Sequence, residues 1–265
     1  MPASDPPPPV TAPSPAFLFS DAHLGSDRQA EAERRARLLR FLDHVRGSGR
    51  SLVCLGDLFD FWFEYDSAIP ARHFEVLRRL QDLSRAGVRL FFIGGNHDFW
   101  VRRGGRPGFL EREIGVRVLG DGTVLETAGL RLLLVHGDGI GPRDLGYRAL
   151  KVVLRNRVAI ESFRWIHPDL AVRIGALTSR LSRRREGGAP SPRTRLALRA
   201  FARQTLRARP DLDAVVAGHL HLPDEETFER GRYLNLGDWI VHASYAVARD
   251  GALTLERFEP GPGAT

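Results

Sequence analysis

With 265 residues, 43% of them hydrophobic, and a net charge of +7, the chain is long and apolar enough for one large domain, or a domain with an inserted subdomain, around a substantial core. It contains no run of about 18 or more uncharged apolar residues, which argues against a transmembrane helix. Its single cysteine, Cys54, excludes an intramolecular disulfide framework, and the Val-Cys-Leu setting reads as a small core hydrophobe.

Residues 1–15 are rich in proline (Pro6 to Pro9, Pro13 and Pro15), with neither the basic start nor the apolar segment of a signal peptide. They predict a disordered extension and a cytoplasmic protein. Short apolar runs then alternate with helical patterns. Strands are expected at 17–20, 51–55 and 88–94 and helices at 30–45 and 71–85, the signature of βαβ units. Turn signals at 120–122 and 128–129 separate two further strands, 124–127 and 130–135. From about 138 to 218 the rhythm becomes helical, with helices expected at 147–166, 170–181 and 194–207. His167-Pro168 marks a break, and 183–192 a flexible basic turn. Beyond a strand at 213–217, runs at 227–228, 233–236, 245–248 and 253–258 predict a closing meander, followed by a flexible tail at 259–265. The fold class expected is therefore α/β over residues 16–258, with a helical insertion at 143–209.

Charge singles out that insertion. It holds 17 of the 39 basic residues and 4 of the 32 acidic ones, so the rest of the chain is net negative. Arginine-rich codon usage accounts for Lys151 being the only lysine, but predicts arginine everywhere rather than here. A polyanion or an anionic membrane surface is the implied partner.

Five polar cassettes sit where apolar runs end: Asp21-Ala-His23, Gly56-Asp57-Leu-Phe-Asp60, Gly95-Asn96-His97-Asp98, His136-Gly-Asp138 and Gly218-His219-Leu-His221. They contain five of the nine histidines. Ligands of open α/β sheets gather outside the carboxyl ends of strands, where the first three cassettes fall. Gly94 and Gly95 permit the backbone geometry that aims consecutive polar side chains into one pocket. His219 and His221, alternating in an extended segment, project to one side. Carboxylate, amide oxygen and imidazole together suit a pair of divalent cations, one ligand bridging. Any single cassette also occurs as an ordinary turn or a structural histidine; five in order at strand ends point to a two-metal hydrolytic site.

The ordered set Asp-x-His, Gly-Asp-x-x-Asp, Gly-Asn-His-Asp, His and Gly-His-x-His resembles the calcineurin-like metallophosphoesterases, over about residues 16–258. The resemblance implies a two-sheet α/β sandwich with a di-metal centre at the strand ends. It implies Asp21, His23 and His221 on a first metal, Asn96, His136 and His219 on a second, and Asp57 as the bridge. The metals it implies are two divalent ions, Mn²⁺ before others. In-line attack on phosphorus by a metal-activated water follows, without a covalent enzyme intermediate. His97 is left for proton work, oriented by Asp98.

A narrower resemblance rests on Gly56-Asp-Leu-Phe-Asp-Phe-Trp62, His136-Gly-Asp138 followed by Asp144-Leu-Gly-Tyr147, the basic insertion, and Leu236-Gly-Asp-Trp239. These look like the UDP-2,3-diacylglucosamine diphosphatases of lipid A synthesis. That resemblance implies a nucleotide-linked glycolipid substrate contacted by Asn96, His97, Asp144, Tyr147 and His219. It also implies a cap that reaches the anionic inner face of the cytoplasmic membrane through Arg143, Arg148, Lys151, Arg155 and Arg157 beside apolar residues. The best-known branch of that family carries Arg after the Asn, where this chain has His97, a side chain that can exchange a proton as well as stabilise charge. Two other readings stay open: a calcineurin-like phosphodiesterase acting on nucleotides, nucleic acid or phosphoprotein, and a non-catalytic scaffold of the same fold. Against nucleic acid, Phe163 and Trp165 are two apart and cannot share a helix face to stack bases, so no specific nucleic-acid partner is expected.

Overall fold

The computed structural model describes residues 8–26, 28–102, 105–140, 156–186 and 192–259. Two six-stranded sheets pack face to face. The first runs β1 (Val10–Thr11), β6 (Thr123–Thr127), β7 (Leu130–Val135), β8 (Ala214–Ala217), β10 (Arg232–Leu236), β9 (Pro223–Thr227). The second runs β12 (Ala252–Arg257), β11 (Ser244–Arg249), β2 (Ala16–Phe19), β3 (Ser51–Cys54), β4 (Arg89–Ile93), β5 (Val116–Leu119). Strands β2 to β5 are parallel, as the alternation of strand and helix patterns requires, and β7, β8 and β10 are parallel in the facing sheet.

Period-two alternation builds the layers. In β2, Ala16 and Leu18 enter the core between the sheets while Phe17 and Phe19 face outward under helix α1 (Arg28–Ser48), which is why every residue of this strand is buried and apolar. Helix α1 answers with Leu38, Phe41, Leu42 and Val45, and helix α2 (Phe74–Arg85) with Val76, Leu77, Leu80 and Leu83. Both sets have the three-and-four spacing of one helical face, and each such side chain contributes about 1.5–3 kcal/mol by leaving water.

The amino-terminal extension requires a correction. Val10 and Thr11 pair in parallel with Leu125 and Glu126, Val10 and Ala12 are buried, and the carbonyls of Pro13 and Pro15 accept hydrogen bonds from Ser51 Oγ and the Arg50 amide. Prolines spare the edge the amide donors it could not pair, while Val10 and Ala12 fill the inter-sheet core. The domain therefore includes residues 8–15; residues 1–7 and 260–265 lie outside the described set. The closing meander is also two separate hairpins. β9–β10 extends one sheet and β11–β12 the other, with the loop after Leu236 crossing between them. Strand β5 has no counterpart among the expected elements; it is a short edge with Arg117 exposed, too weakly patterned to stand out.

Two helices of the insertion, α3 (Arg157–Arg164) and α4 (Pro168–Glu186), meet at the expected break. The long helix expected from 147 does not run through: Asn156 is extended, and its side chain caps α3 by accepting from the Val158 amide. The third helix, α5 (Pro192–Ala208), is no part of a cap. It lies on the outer face of the first sheet, burying Leu198, Ala202 and Leu206 against β8 and β10. Its arginines form a ladder to β9. Arg195 and Arg199 grip the buried Asp224, and Arg199 and Arg203 grip Glu226, so these three arginines assigned to an insertion neutralise the sheet edge instead.

Asp224 gives this ladder a measurable signature. Burial raises its pKa, but hydrogen bonds from Arg199 and Arg195 prevail and hold it below the ordinary carboxylate value. A folded-state pKa below the unfolded one means stabilisation complete above the unfolded value, near ~4, and lost as pH falls through the folded one. Asp224→Asn is expected to lower unfolding free energy by about 1–2 kcal/mol near neutrality, the half-exposed arginines limiting the effect, and by almost nothing in acid. Urea melts at two pH values check it.

Candidate metal centre

Five strands end at one place. Asp21 follows β2 by two residues, Asp57 follows β3, Asn96 and His97 follow β4, His136 follows β7 directly, and His219 follows β8. These five strands of the two sheets present their carboxyl ends together because β2, β3 and β4 are mutually parallel, as are β7 and β8. The chain turns abruptly at each end. Asp21, His23, Asp57, His219 and His221 all have positive φ, between 44° and 67°, a conformation that non-glycine residues hold only where the surroundings over-determine it and that costs of order 1–3 kcal/mol each. Five such residues in one pocket are strain stored at a site. Gly95 shows how tightly it is built: a Cβ there would lie 2.1 Å from Asp57 Oδ1. A Cβ on Gly56, whose φ is 94°, would lie 2.7 Å from His136 Nδ1.

The expected donors converge in two groups. Asp21 Oδ1 lies 3.4 Å from His221 Nε2 and 3.7 Å from His23 Nε2, and the two imidazole nitrogens are 3.2 Å apart. Asn96 Oδ1 lies 3.1 Å from His136 Nε2 and 3.2 Å from His219 Nδ1. Between the groups stands Asp57 Oδ2, 3.6 Å from His23 Nε2 and 3.4 Å from His136 Nε2. The second oxygen of each carboxylate is occupied: Asp57 Oδ1 accepts from the His97 amide and Asp21 Oδ2 from the His219 amide. Asp21 Oδ1 and Asp57 Oδ2 are buried without a hydrogen-bond donor among the described residues. Charged oxygens so placed need a cation.

The electrostatics carry the same demand. Burial pushes the His23 imidazole down, but the Asp21 and Asp60 carboxylates around it win and raise it to about 10. His136 is likewise driven up against its burial by Asp57. Asp21, which burial alone would raise, is brought down to about 2 by His221 and His23. Protons on imidazole thus sit where positive charge is wanted. Three groups, Asp21 with His23 and His221, His23 with Asp60 and His97, and Asp21 with Asp57 and His136, have donor atoms close enough to hold a metal ion, and their oxygen and nitrogen donors suit divalent cations. Backbone contacts set ring direction. His136 Nδ1 donates to the Leu55 carbonyl at 2.7 Å, turning Nε2 inward, and Arg34 of α1 donates to the His23 carbonyl.

His97 and Asp98 are arranged differently from expectation. Asp98 does not carry the orienting role: it is fully buried, its Oδ1 accepts from the amides of Gly95 and Asp57 and its Oδ2 from that of Phe59. It ties the second and third cassettes together, and burial, then the nearby Asp57 charge, lift it to about 7. The group against His97 is Asp60, whose carbonyl accepts from Nδ1 at 3.0 Å and whose carboxylate Oδ1 lies 3.8 Å away. Asp60 ends the second cassette, and its spacing of three from Asp57 was the available signal. Asp238 was also missed as a site residue; its carboxylate lies 3.7 Å from His221 Nδ1, and it stands in the Leu236-Gly-Asp-Trp239 segment.

Helices α3 and α4 lie beside this centre. Phe163 packs against Phe61 and Phe63, which follow Asp60, and against Trp100, which follows His97 by three residues. Tyr65 donates to the Ile166 carbonyl, and Gly175 of α4 lets the Phe61 ring approach to where a Cβ would collide. Of the expected substrate and cap contacts, Asp144 and Tyr147 lie outside the described residues, as do Arg143, Arg148, Lys151 and Arg155; so does the side chain of Arg157.

The model of the calcineurin-like phosphoesterase family matches residues 15–223, and the chain belongs to that family of metal-dependent hydrolases. A UDP-2,3-diacylglucosamine hydrolase of Porphyromonas gingivalis is 32% identical over 261 residues, spanning 92% of this chain and 97% of that protein. Proteins of the same name from Neisseria meningitidis serogroup A and Aeromonas hydrophila are 31% and 30% identical, spanning 92% and 91% of this chain and 99% and 97% of theirs. No helix among the described residues is long and apolar enough to cross a membrane.

Proposed function

We propose that the chain hydrolyses the pyrophosphate bond of UDP-2,3-diacylglucosamine, yielding UMP and 2,3-diacylglucosamine 1-phosphate, at a centre of two divalent metals, most readily Mn²⁺. The observation that carries the reaction type is the pair of donorless buried oxygens, Asp21 Oδ1 and Asp57 Oδ2, with imidazole and amide donors converging on them. The substrate rests on relatives of that name over nearly the whole chain. Asp21, His23 and His221 would hold one ion and Asn96, His136 and His219 the other, with Asp57 shared. Ions held by these residues would supply activation of water near neutrality and compensation of charge on phosphoryl oxygens. Asp57 fixes the spacing of the two donor groups while its Oδ1 holds the His97 amide. Asp60 commits His97 Nδ1 to hydrogen bonding, so protons pass to the leaving oxygen through Nε2. Asn96, His97 and His219, with Asp144 and Tyr147, are the proposed substrate contacts.

The α3–α4 turn supports a peripheral membrane contact. Trp165 is 91% exposed, and Val158 of α3 and Leu170 and Leu177 of α4 are exposed as well; exposed indole and aliphatic side chains suit an interfacial layer. The test is UMP release in Mn²⁺ from UDP-2,3-diacylglucosamine held in anionic vesicles, beside a generic phosphodiester. Strong preference for the glycolipid is expected, as is a several-fold loss in Trp165→Ala that disappears when the substrate is dispersed in detergent. Equal turnover of the generic ester rejects the substrate assignment.

A further inference from the structure

Asp238 occupies a position that the reaction as described does not use. It lies in the loop between β10 and β11, is 3% exposed, and has both faces of its carboxylate committed. Oδ1 accepts from the amides of Val241 and His242 and meets His242 Nδ1, all at 3.0 Å. Oδ2 faces His221 Nδ1 at 3.7 Å. No other donor to Oδ2 occurs among the described residues, and nothing else there faces His221 Nδ1. The loop is tied to the centre by its backbone too. The Trp239 amide donates to the Asp21 carbonyl at 3.1 Å, and the Trp239 ring is fully buried between Phe19 and Phe41.

An imidazole that serves a metal through one nitrogen must carry its proton on the other, and a carboxylate behind the ring decides which. His221 turns Nε2 toward Asp21 Oδ1 and His23, while Nδ1 turns toward Asp238. The His221 backbone has a φ of 58°, and its ring stands between Asp21 and His23 on one side and Asp238 on the other. We propose that Asp238 is the positioning residue that sets the tautomer and direction of His221, keeping the proton on Nδ1 and the lone pair of Nε2 on the metal side. The inference rests on the reading of His221 as a metal ligand. His136 is served by the Leu55 carbonyl, whereas a carboxylate stands behind the His221 ring.

The test is metal binding by the full-length protein, followed by titration calorimetry with Mn²⁺ and elemental analysis at limiting metal. Asp238→Asn keeps an oxygen for the Val241 and His242 amides but offers an amide group to His221. Affinity for one of the two ions is expected to fall 10- to 100-fold, with the other retained and turnover recovered at high Mn²⁺. Asp238→Glu is expected to restore part of the affinity. His221→Ala separates the inference from its premise. If it keeps both ions at native affinity, His221 is not a ligand and the reading of the centre fails. If it loses one ion while Asp238→Asn binds both like the native protein, the ligand reading stands and the positioning role is overturned. His242→Gln, which leaves Oδ2 and His221 untouched, is expected to bind both ions normally; an equal loss there would assign the effect to the loop and overturn the proposal.

Discussion

Asp57→Asn is expected to lower kcat/KM by on the order of 10⁴-fold, about 5.5 kcal/mol of transition-state stabilisation, while leaving the fold intact. Asparagine preserves the shape and an oxygen to accept from the His97 amide, the bond that Asp57 Oδ1 makes at 2.9 Å. What it removes is the charge on Oδ2, which faces His23 on one side and His136 on the other. Loss of a shared ligand weakens both ions, so metal content should fall below two per chain. A thermal readout separates this from a simple catalytic defect. In the native protein, Mn²⁺ at 100 times its dissociation constant should stabilise by about 2.7 kcal/mol per site; the variant should show almost none of that increment. The sign of the pH effect follows from the metal-free centre. With His23 raised to about 10, it holds a proton at neutral pH, and binding a cation must expel it. Apparent metal affinity therefore rises with pH up to the region of that value, by as much as tenfold per unit for each proton released. An Asp57→Asn protein that retains both ions and full turnover removes Asp57 from the centre.

The donors of this site were legible because each stands immediately beyond a strand whose apolar character is unmistakable. Phe17-Leu-Phe19 and Leu90-Phe-Phe-Ile93 can only be buried, so Asp21 and Asn96 behind them needed a reason. What stayed hidden depends on the third dimension. Val10 and Ala12 read as part of a Pro-rich tail until β6 is placed beside them. The arginines of α5 read as a basic cap until Asp224 and Glu226 of β9 are seen beneath them, since a one-dimensional charge count cannot distinguish a solvated face from a paired one. Asp60 and Asp98 illustrate the same limit at one residue's resolution. Both are carboxylates within a cassette; only the turn after β4 decides that Asp98 binds backbone amides and that Asp60 meets the His97 ring.

His97 is where the expected loss reports chemistry rather than metal. His97→Gln should retain both ions, because the two converging donor groups do not need its ring, and should lower kcat by about 10²- to 10⁴-fold, the usual value of a positioned acid or base. Its pH profile is the sharper readout. Burial depresses the His97 pKa below its ordinary value, with the Asp57 and Asp60 charges opposing that shift and His23 adding to it. A depressed value means the imidazolium is present only at lower pH, so a step that needs a proton from His97 slows as pH rises, and kcat/KM descends on its alkaline side. Metal binding imposes the opposite slope, since protons compete at His23, raised to about 10, so the profile is read at saturating and at limiting Mn²⁺. Saturating metal should leave the descending limb set by His97; limiting metal should add an ascending slope across the same range. Substrate phosphate beside the ring favours the imidazolium, placing the descending limb of kcat at higher pH than that of kcat/KM. Replacement by Gln should erase the descending limb and keep the ascending slope at limiting metal. Arginine, which cannot give up a proton in this range, should recover rate only to the extent that charge stabilisation contributes, and should leave the profile flat on the alkaline side. A native-like descending limb in His97→Gln would assign proton transfer to another group and reduce His97 to a neighbour of the metals.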